Sequence, residues 1–417
     1  MDSIYIIGAG VTRLGKHLDK SVKQLSAMAI SAALADAGCA RDDIQAAWFS
    51  NTRQGAMEGQ HGIRGQCALR AFGFEEIPII NCDNACASST TGMNQAYANI
   101  RAGLYEVALV VGADKMIYPE KREAMFEAFL GGWDRELADE HMRNLLALGD
   151  GLLLPAEAQE ARWTSSNQHS VFMDVYAAGA RAHMKRYGST QRQFAAVAAK
   201  NHFHSSFNPN AQYQNSMSIE EVLADKPITW PLTRSMCAPI SDGAGALVLC
   251  AESALKRFDR SRAVRIRATT LASGTNRQAG DDDRSICRIA ARKAYAMAEA
   301  GPGDLDVVEV HDATAFAEVA HIENMGLCEP GEGGLLAERG DTRLGGRIPV
   351  NTSGGLLSKG HPIGATGVIQ LHEIVTQLRG EAGGRQVAGA RLGAAENGGG
   401  FYGLEEAVTA VTILERA

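Results

Sequence analysis

No apolar run in the 417 residues approaches the roughly 20 consecutive apolar residues that a membrane-crossing helix needs. The N-terminal MDSIYIIGAG has neither a charged leader region nor a cleavage site, so it reads as a first strand. A cytoplasmic protein with no membrane partner is expected. Positive charge is not in excess: 41 Lys and Arg stand against 48 Asp and Glu, a formal net charge of −7, which argues against a nucleic-acid partner. None of the eight cysteines forms a CxxC pair, and disulfides are rare in large cytosolic chains. Cys39, Cys67, Cys82, Cys86, Cys237, Cys250, Cys287 and Cys328 each read first as small buried hydrophobes. One further absence matters. In IIGAGVTRLG, Gly8 and Gly10 are followed by Arg13 where a dinucleotide-binding GxGxxG needs its third glycine, which leaves a strand and a loop.

What remains is an α/β chain long enough for two or three domains. Expected strands in the first half are Ser3–Ile7, Ala46–Phe49, Ile77–Ile80, Val107–Gly112 and Ala246–Cys250. In the second half they are Val264–Thr269, Val307–Val310, Ile348–Val350, Arg391–Ala395 and Val408–Leu414. Helices fall between them. In Ser21–Ala37, Leu25, Met28, Ala29 and Ala32 share one face, and Gly38 ends the helix. The alternation implies parallel-rich sheets with helices on their faces.

The halves repeat each other. ALADAGCARDDIQAAWF parallels AYAMAEAGPGDLDVVEV, IPIIN parallels IPVN, and CASSTTG parallels HPIGATG. The shared Thr-Gly pair falls at 91–92 and 366–367, an offset of 275 that carries Cys86 onto His361. Repeats in one order indicate duplication. The expected division is 1–114 plus 241–260 as the first half, 261–417 as the second, and 115–240 as an insert that covers a site. The insert carries a helix over Gln191–Lys200 and the stretch MFEAFLGGWDRELADEHMRNLLALGDGLLLP.

Cys86 precedes a helix expected over 87–103, where exposed N–H groups and the helix dipole favour a thiolate. Ala87, Ser88 and Ser89 leave room for a substrate, so Cys86 is the candidate nucleophile and Cys82 is not. His361 lies in a Gly-rich loop that the duplication places opposite Cys86, as its candidate base. His311 stands at a strand end, where α/β folds place functional groups.

Together NACASSTTGMNQAYANIRAG, SDGAGAL, HDATAF, NTSGGLLSKGHPIGATG and ENGGGFYG resemble the thiolase family over essentially the whole chain. The closest likeness is to sterol-carrier-protein-type thiolases and acetyl-CoA acetyltransferases. The resemblance implies duplicated βαβαβαββ halves in an αβαβα layered sandwich with an inserted loop domain. It implies a C–C bond cleaved or formed in a 3-oxoacyl-CoA through an acyl-Cys86 thioester, with the degradative direction favoured. His361 is then the activating base, His311 the polariser of the second thioester oxygen, and the N–H groups of Cys86 and Gly398 a second oxyanion hole. Coenzyme A enters as substrate, with no tightly bound cofactor and no metal. A homodimer is implied, with a small zinc-ribbon/OB-fold protein as a further partner.

The chain departs from the family pattern at three positions. Glu396 stands where most members have the acid/base cysteine of CxGGG, and Ala313 where sterol-carrier-type members have that of HDCF. Ala238 replaces a serine near the pantetheine. Glu396 is the expected replacement proton carrier, with Asp312 behind it. Alternatives are a retro-aldolase or other C-acyltransferase on the same fold, or a non-catalytic acyl-CoA- or lipid-binding subunit; aldol cleavage has no need of Cys86.

Overall fold

The computed structural model describes residues 3–153 and 169–417. Its strands are β1 (Ile4–Val11), β2 (Ala46–Ser50), β3 (Ile79–Cys82), β4 (Val107–Asp114), β5 (Pro227–Thr229), β6 (Leu232–Thr233), β7 (Gly243–Ala251), β8 (Val264–Ser273), β9 (Val307–Glu309), β10 (Leu392–Gly399) and β11 (Val408–Arg416). Nine of them follow the order β3-β2-β4-β7-β1-β8-β11-β10-β9. The halves meet where β1 pairs antiparallel with β8, at Tyr5 opposite Arg265 and Ile6 opposite Val264. Outward from that seam, each half runs through its first, fifth, fourth and second strands in chain order. The third strand of the first half is β3. Its counterpart, expected over Ile348–Val350, is reduced to one bridge between Val308 and Val350. Pro349 has no N–H to donate, so its carbonyl alone accepts from Val308 N–H.

Side-chain alternation along the strands builds the layers. On β1, Tyr5 and Ile7 face the helix Val22–Ala37. Ile4 and Ile6 face inward, with Leu247, Leu249, Val264 and Ile266. The inner layer is made by the helices Ser88–Arg101 and Thr366–Arg379, through Met93, Ala96, Val368 and Leu371. On the far face of the second half, Ala268, Val411 and Ile413 meet the helix Ile286–Ala298. A bulge beside Arg267 turns Ile266 and Ala268 to opposite faces of the sheet.

The helix Val22–Ala37 is capped by Ser21 and ended by Gly38 in the left-handed region (φ 60). Its buried stripe is Val22, Leu25, Ala29, Ile30 and Ala33, while Met28 and Ala32, expected on that face, are exposed. The two glycines of the failed nucleotide motif let the helix approach β1 closely. A Cβ on Gly10 would stand 2.5 Å from the Ala29 carbonyl, and one on Gly8 2.6 Å from Ala37 Cβ, so the helix lies directly on β1.

Between β4 and β7 the chain forms the helices Ala138–Leu148, Val171–Tyr187 and Gln191–Ser205 and the hairpin β5–β6. Leu154 and Pro155 of the apolar stretch noted above lie outside the described residues. The last two of these helices bury Ala177, Ala180, Phe194 and Val197 against Phe316 and Val319 of the helix Ala315–Asn324.

The inner helices meet at their starts. Val368 N–H donates to Ser89 Oγ at 3.1 Å. A Cβ on Gly367 would fall on Thr90 Oγ1 and stand 2.6 Å from Asn397 Oδ1. Gly367→Ala should therefore overpack the centre of the molecule and lower stability by roughly 1–3 kcal/mol. Denaturant and thermal unfolding of parent and variant would measure this; coincident transitions would show that the two starts do not rely on that contact.

Candidate active site

The two inner helices start side by side, so the residues ahead of them converge. Cys86 Sγ lies 3.4 Å from His361 Nε2. The Cys86 turn is tightly held: Ser88 Oγ donates to the Ala85 carbonyl at 2.6 Å and accepts from Asn84 N–H at 2.8 Å. Ala85 is forced to φ +49, a backbone cost seen at functional turns.

The tautomer of His361 follows from its neighbours. Thr366 Oγ1 donates its hydroxyl to the Pro362 carbonyl at 3.0 Å, so toward His361 Nδ1, 2.7 Å away, it accepts. Nδ1 therefore carries the proton, and the Nε2 lone pair faces the thiol. Burial, then His311, Arg53 and Lys359, push the imidazole well below its usual range, so it is neutral and able to take a proton. Thr366 appeared in the sequence only as half of the repeated Thr-Gly pair.

His311 closes the group, its ring centred 5.3 Å from that of His361. Its backbone is fixed from two sides. Asn351, at φ +55, accepts from Val310 N–H through Oδ1 at 2.9 Å, and Glu396 Oε2 accepts from His311 N–H at 3.0 Å. Burial, with His321, lowers the His311 imidazole to about 3, and neither ring nitrogen has a protein partner. A neutral ring lining the cavity can donate N–H to a substrate oxygen.

The three residues line a cavity of about 680 Å³ whose roof comes from the insert, including Phe126, Phe129, Phe172 and Tyr176. Arg53, absent from the sequence expectations, is buried beside Cys86 with its guanidinium 4.6 Å from the centre of the Phe129 ring. Asp114 holds the loop that carries it. Its carboxylate accepts from Arg53 N–H (3.0 Å), Asn51 Nδ2 (2.9 Å) and Thr52 Oγ1 (2.7 Å). The same carboxylate takes Gly364 N–H of the His361 loop at 2.6 Å, tying the two halves together at the site.

Several expectations change. The helix start does not make Cys86 a thiolate: burial pushes its thiol up to about 12, against the pull of Arg53 and of a hydrogen bond from the Gly400 backbone. Gly400, not Gly398, lines the cavity; a Cβ on Gly398 would meet Glu406 Cγ at 2.7 Å instead. Glu396 does not line it either. Side chains alternate along β10, so Asn397 points inward to Thr90 while Glu396 points outward, 3.6 Å from His321 Nδ1. Burial raises its carboxyl, as expected, but on the far side of His311. Asp312 is occupied: its oxygens accept from Leu356 N–H and Asn201 Nδ2, each at 2.7 Å. Ala238 and Ala313 both line the cavity and are joined by a backbone hydrogen bond of 3.0 Å, so no proton-carrying side chain stands at either position.

Residues 4–225 match the model of the thiolase N-terminal domain, and residues 273–416 that of the thiolase C-terminal domain-like family. An acetyl-CoA acetyltransferase of Methanothermobacter thermautotrophicus is 35% identical over 408 residues, 97% of this chain and 98% of its own. Sterol carrier protein 2 of Homo sapiens is 33% identical over 406 residues, 94% of this chain and 69% of its own. A solved structure described as an Ltp2-ChsH2(DUF35) aldolase shares the fold, with TM-score 0.76 at 22% identity over 99% of this chain and 98% of that one.

The resting state is thus a neutral thiol facing a neutral imidazole, and alkylation reads the difference from a preformed ion pair. A raised thiol pKa means that the reactive thiolate grows with pH until that high value is reached. Inactivation by iodoacetamide should accelerate steadily from about pH 6 to about pH 10 without a plateau. A plateau near neutrality, located by peptide mapping to Cys86, would mean that the thiolate already exists there.

Proposed function

The chain belongs to the thiolase family of acyltransferases, and from that premise we propose that it cleaves 3-oxoacyl-CoA through an acyl-Cys86 thioester. The observation carrying this reading is the 3.4 Å contact of Cys86 Sγ with a His361 Nε2 whose lone pair Thr366 turns toward it. Retro-aldol cleavage uses no such pair.

His361 takes the thiol proton as Cys86 sulfur attacks the 3-oxo carbon. Pairing proton transfer with attack avoids a free thiolate, which burial disfavours. The developing oxyanion is received by backbone N–H groups of Cys86 and Gly400, the latter in place of Gly398. Collapse breaks the bond between the α- and β-carbons and leaves the acyl group on Cys86. The electron pair stays with the departing acyl-CoA as an enolate, whose thioester oxygen accepts from the neutral His311 ring. A donor of this kind typically contributes about 2.7–4 kcal/mol. Coenzyme A then takes the acyl group from Cys86. Phe126, Phe129 and Phe172 along the cavity favour a bulky or aromatic acyl chain.

The two histidines separate by step. His361→Ala should abolish Cys86 acylation by acyl-CoA, read by intact mass. His311→Ala should leave acylation within severalfold of the parent yet slow single-turnover cleavage by about 10²–10³-fold. A panel of acetoacetyl-CoA and an aromatic 3-oxoacyl-CoA serves as substrate. Equal loss of both steps in both variants would sink this division of roles.

A further inference from the structure

Behind His311, away from Cys86, lies a buried polar cluster that acylation does not use. His321, 3% exposed, has Nε2 3.3 Å from Glu406 Oε1 and Nδ1 3.6 Å from Glu396 Oε2. Burial opposes charge on this imidazole, but Glu396 and Glu406 together outweigh it and hold it protonated. Burial likewise opposes charge on Glu406, yet His321 draws that carboxyl down to about 2. The pair is therefore an imidazolium and a carboxylate.

Tyr176 connects this cluster to the catalytic cavity. Its hydroxyl lies 3.4 Å from Glu406 Oε1, the same oxygen that faces His321, and the residue lines the cavity with Cys86 and His311. Tyr176, His321 and Glu406 also line a second cavity of about 550 Å³, whose rim carries the exposed Lys185 and Gly280. The chain Tyr176–Glu406–His321 thus runs from the reacting carbon's side of the molecule to a solvent-facing one.

We propose that Tyr176 is the acid that protonates the α-carbon of the departing acyl-CoA, and that Glu406 and His321 return a proton to it from the second cavity. The proposal rests on the cleavage reading above. When the bond between the α- and β-carbons breaks, its electron pair is left on the α-carbon as an enolate. The Tyr176 O–H proton goes to that carbon; the pair becomes the new C–H bond, and the phenol becomes a phenolate. A proton then passes from His321 through Glu406 to the phenolate, and the neutral imidazole takes one from water in the second cavity. The hydroxide left there is neutralised by the proton that the coenzyme A thiol releases as it takes the acyl group, and His361 returns its proton to the Cys86 sulfur as that thioester breaks, so charge and protons balance over one turnover. Condensation runs the same steps in reverse. Burial, then Glu406 and Cys86, keep the Tyr176 phenol well above its usual range, so it rests protonated and ready to give rather than take. It supplies the function for which Ala313 offers no group and Glu396 is on the wrong side of His311. Glu396 acts as a positioning residue here, holding His311 N–H and balancing His321.

Two readouts on the same samples separate this proposal from the reading beneath it: acylation of Cys86 by acetyl-CoA, and single-turnover cleavage of the substrate panel. Tyr176→Phe should cut cleavage by about 10²–10⁴-fold while acylation stays within severalfold of the parent. Glu406→Gln should lower kcat about tenfold or more with KM unchanged, and Glu406→Asp should recover part of that loss. If the parent cleaves and Tyr176→Phe cleaves equally well, the relay is overturned and the thioester reading stands. A parent that acylates yet cleaves no substrate overturns the relay as well. A parent that does neither overturns both.

Discussion

The chemistry of this protein depends on a contact with no room for a side chain. Gly367 lies against Thr90, so the two inner helices start side by side. Residues a few positions ahead of each start are then brought together across 275 positions of sequence. Any larger residue at Gly367 would part the helices, and with them the thiol and its base. The hydrogen bonds of Asp114 to both the Arg53 loop and Gly364 reinforce the same join from the opposite side.

Burial decides the electrostatics once that join is made. Two neutral histidines and a neutral thiol stand together beside Arg53, and each is neutral because a charged form would lose its hydration there. Around the loops of the site, buried charge is paired. Glu318 receives Lys200 at 2.5 Å, Asn201 at 2.9 Å and Asn351 at 2.7 Å. Glu309 receives Ser353 at 2.6 Å and Lys359 at 3.4 Å. Breaking such a buried pair leaves an uncompensated charge, so these pairs hold the loops bearing His311 and His361 rigidly.

The positions that the sequence marked as unusual also form a physical set. The fully buried carboxyl of Glu396 lies 3.6 Å from His321 Nδ1, which offers it a balancing charge. The same imidazole faces Glu406 through Nε2, so a cation sits between two carboxyl groups in the wall next to His311. Ala238 and Ala313 leave the facing wall apolar.

Much was legible in the sequence because the two relevant signals are local and periodic. Strand alternation, the helix stop at Gly38 and the repeated Thr-Gly pair specify the layered fold, its duplication and the meeting of Cys86 with His361. Where local reasoning erred, tertiary packing had overruled it. Met28 and Ala32 are exposed because the helix lies on β1 at another rotation than its apolar spacing suggested, packed closely over Gly8 and Gly10. The thiol pKa rises because desolvation exceeds the pull of Arg53 and of the Gly400 backbone, and a helix start seen in sequence says nothing of how deeply the thiol is buried. Arg53 reaches the cavity from a loop, and Tyr176 from a helix of the insert whose docking over the site no local pattern reveals. Glu396 was placed correctly in the chain but faces away from Cys86, because consecutive residues on a strand alternate between its faces and only the assembled sheet decides which face looks onto the substrate.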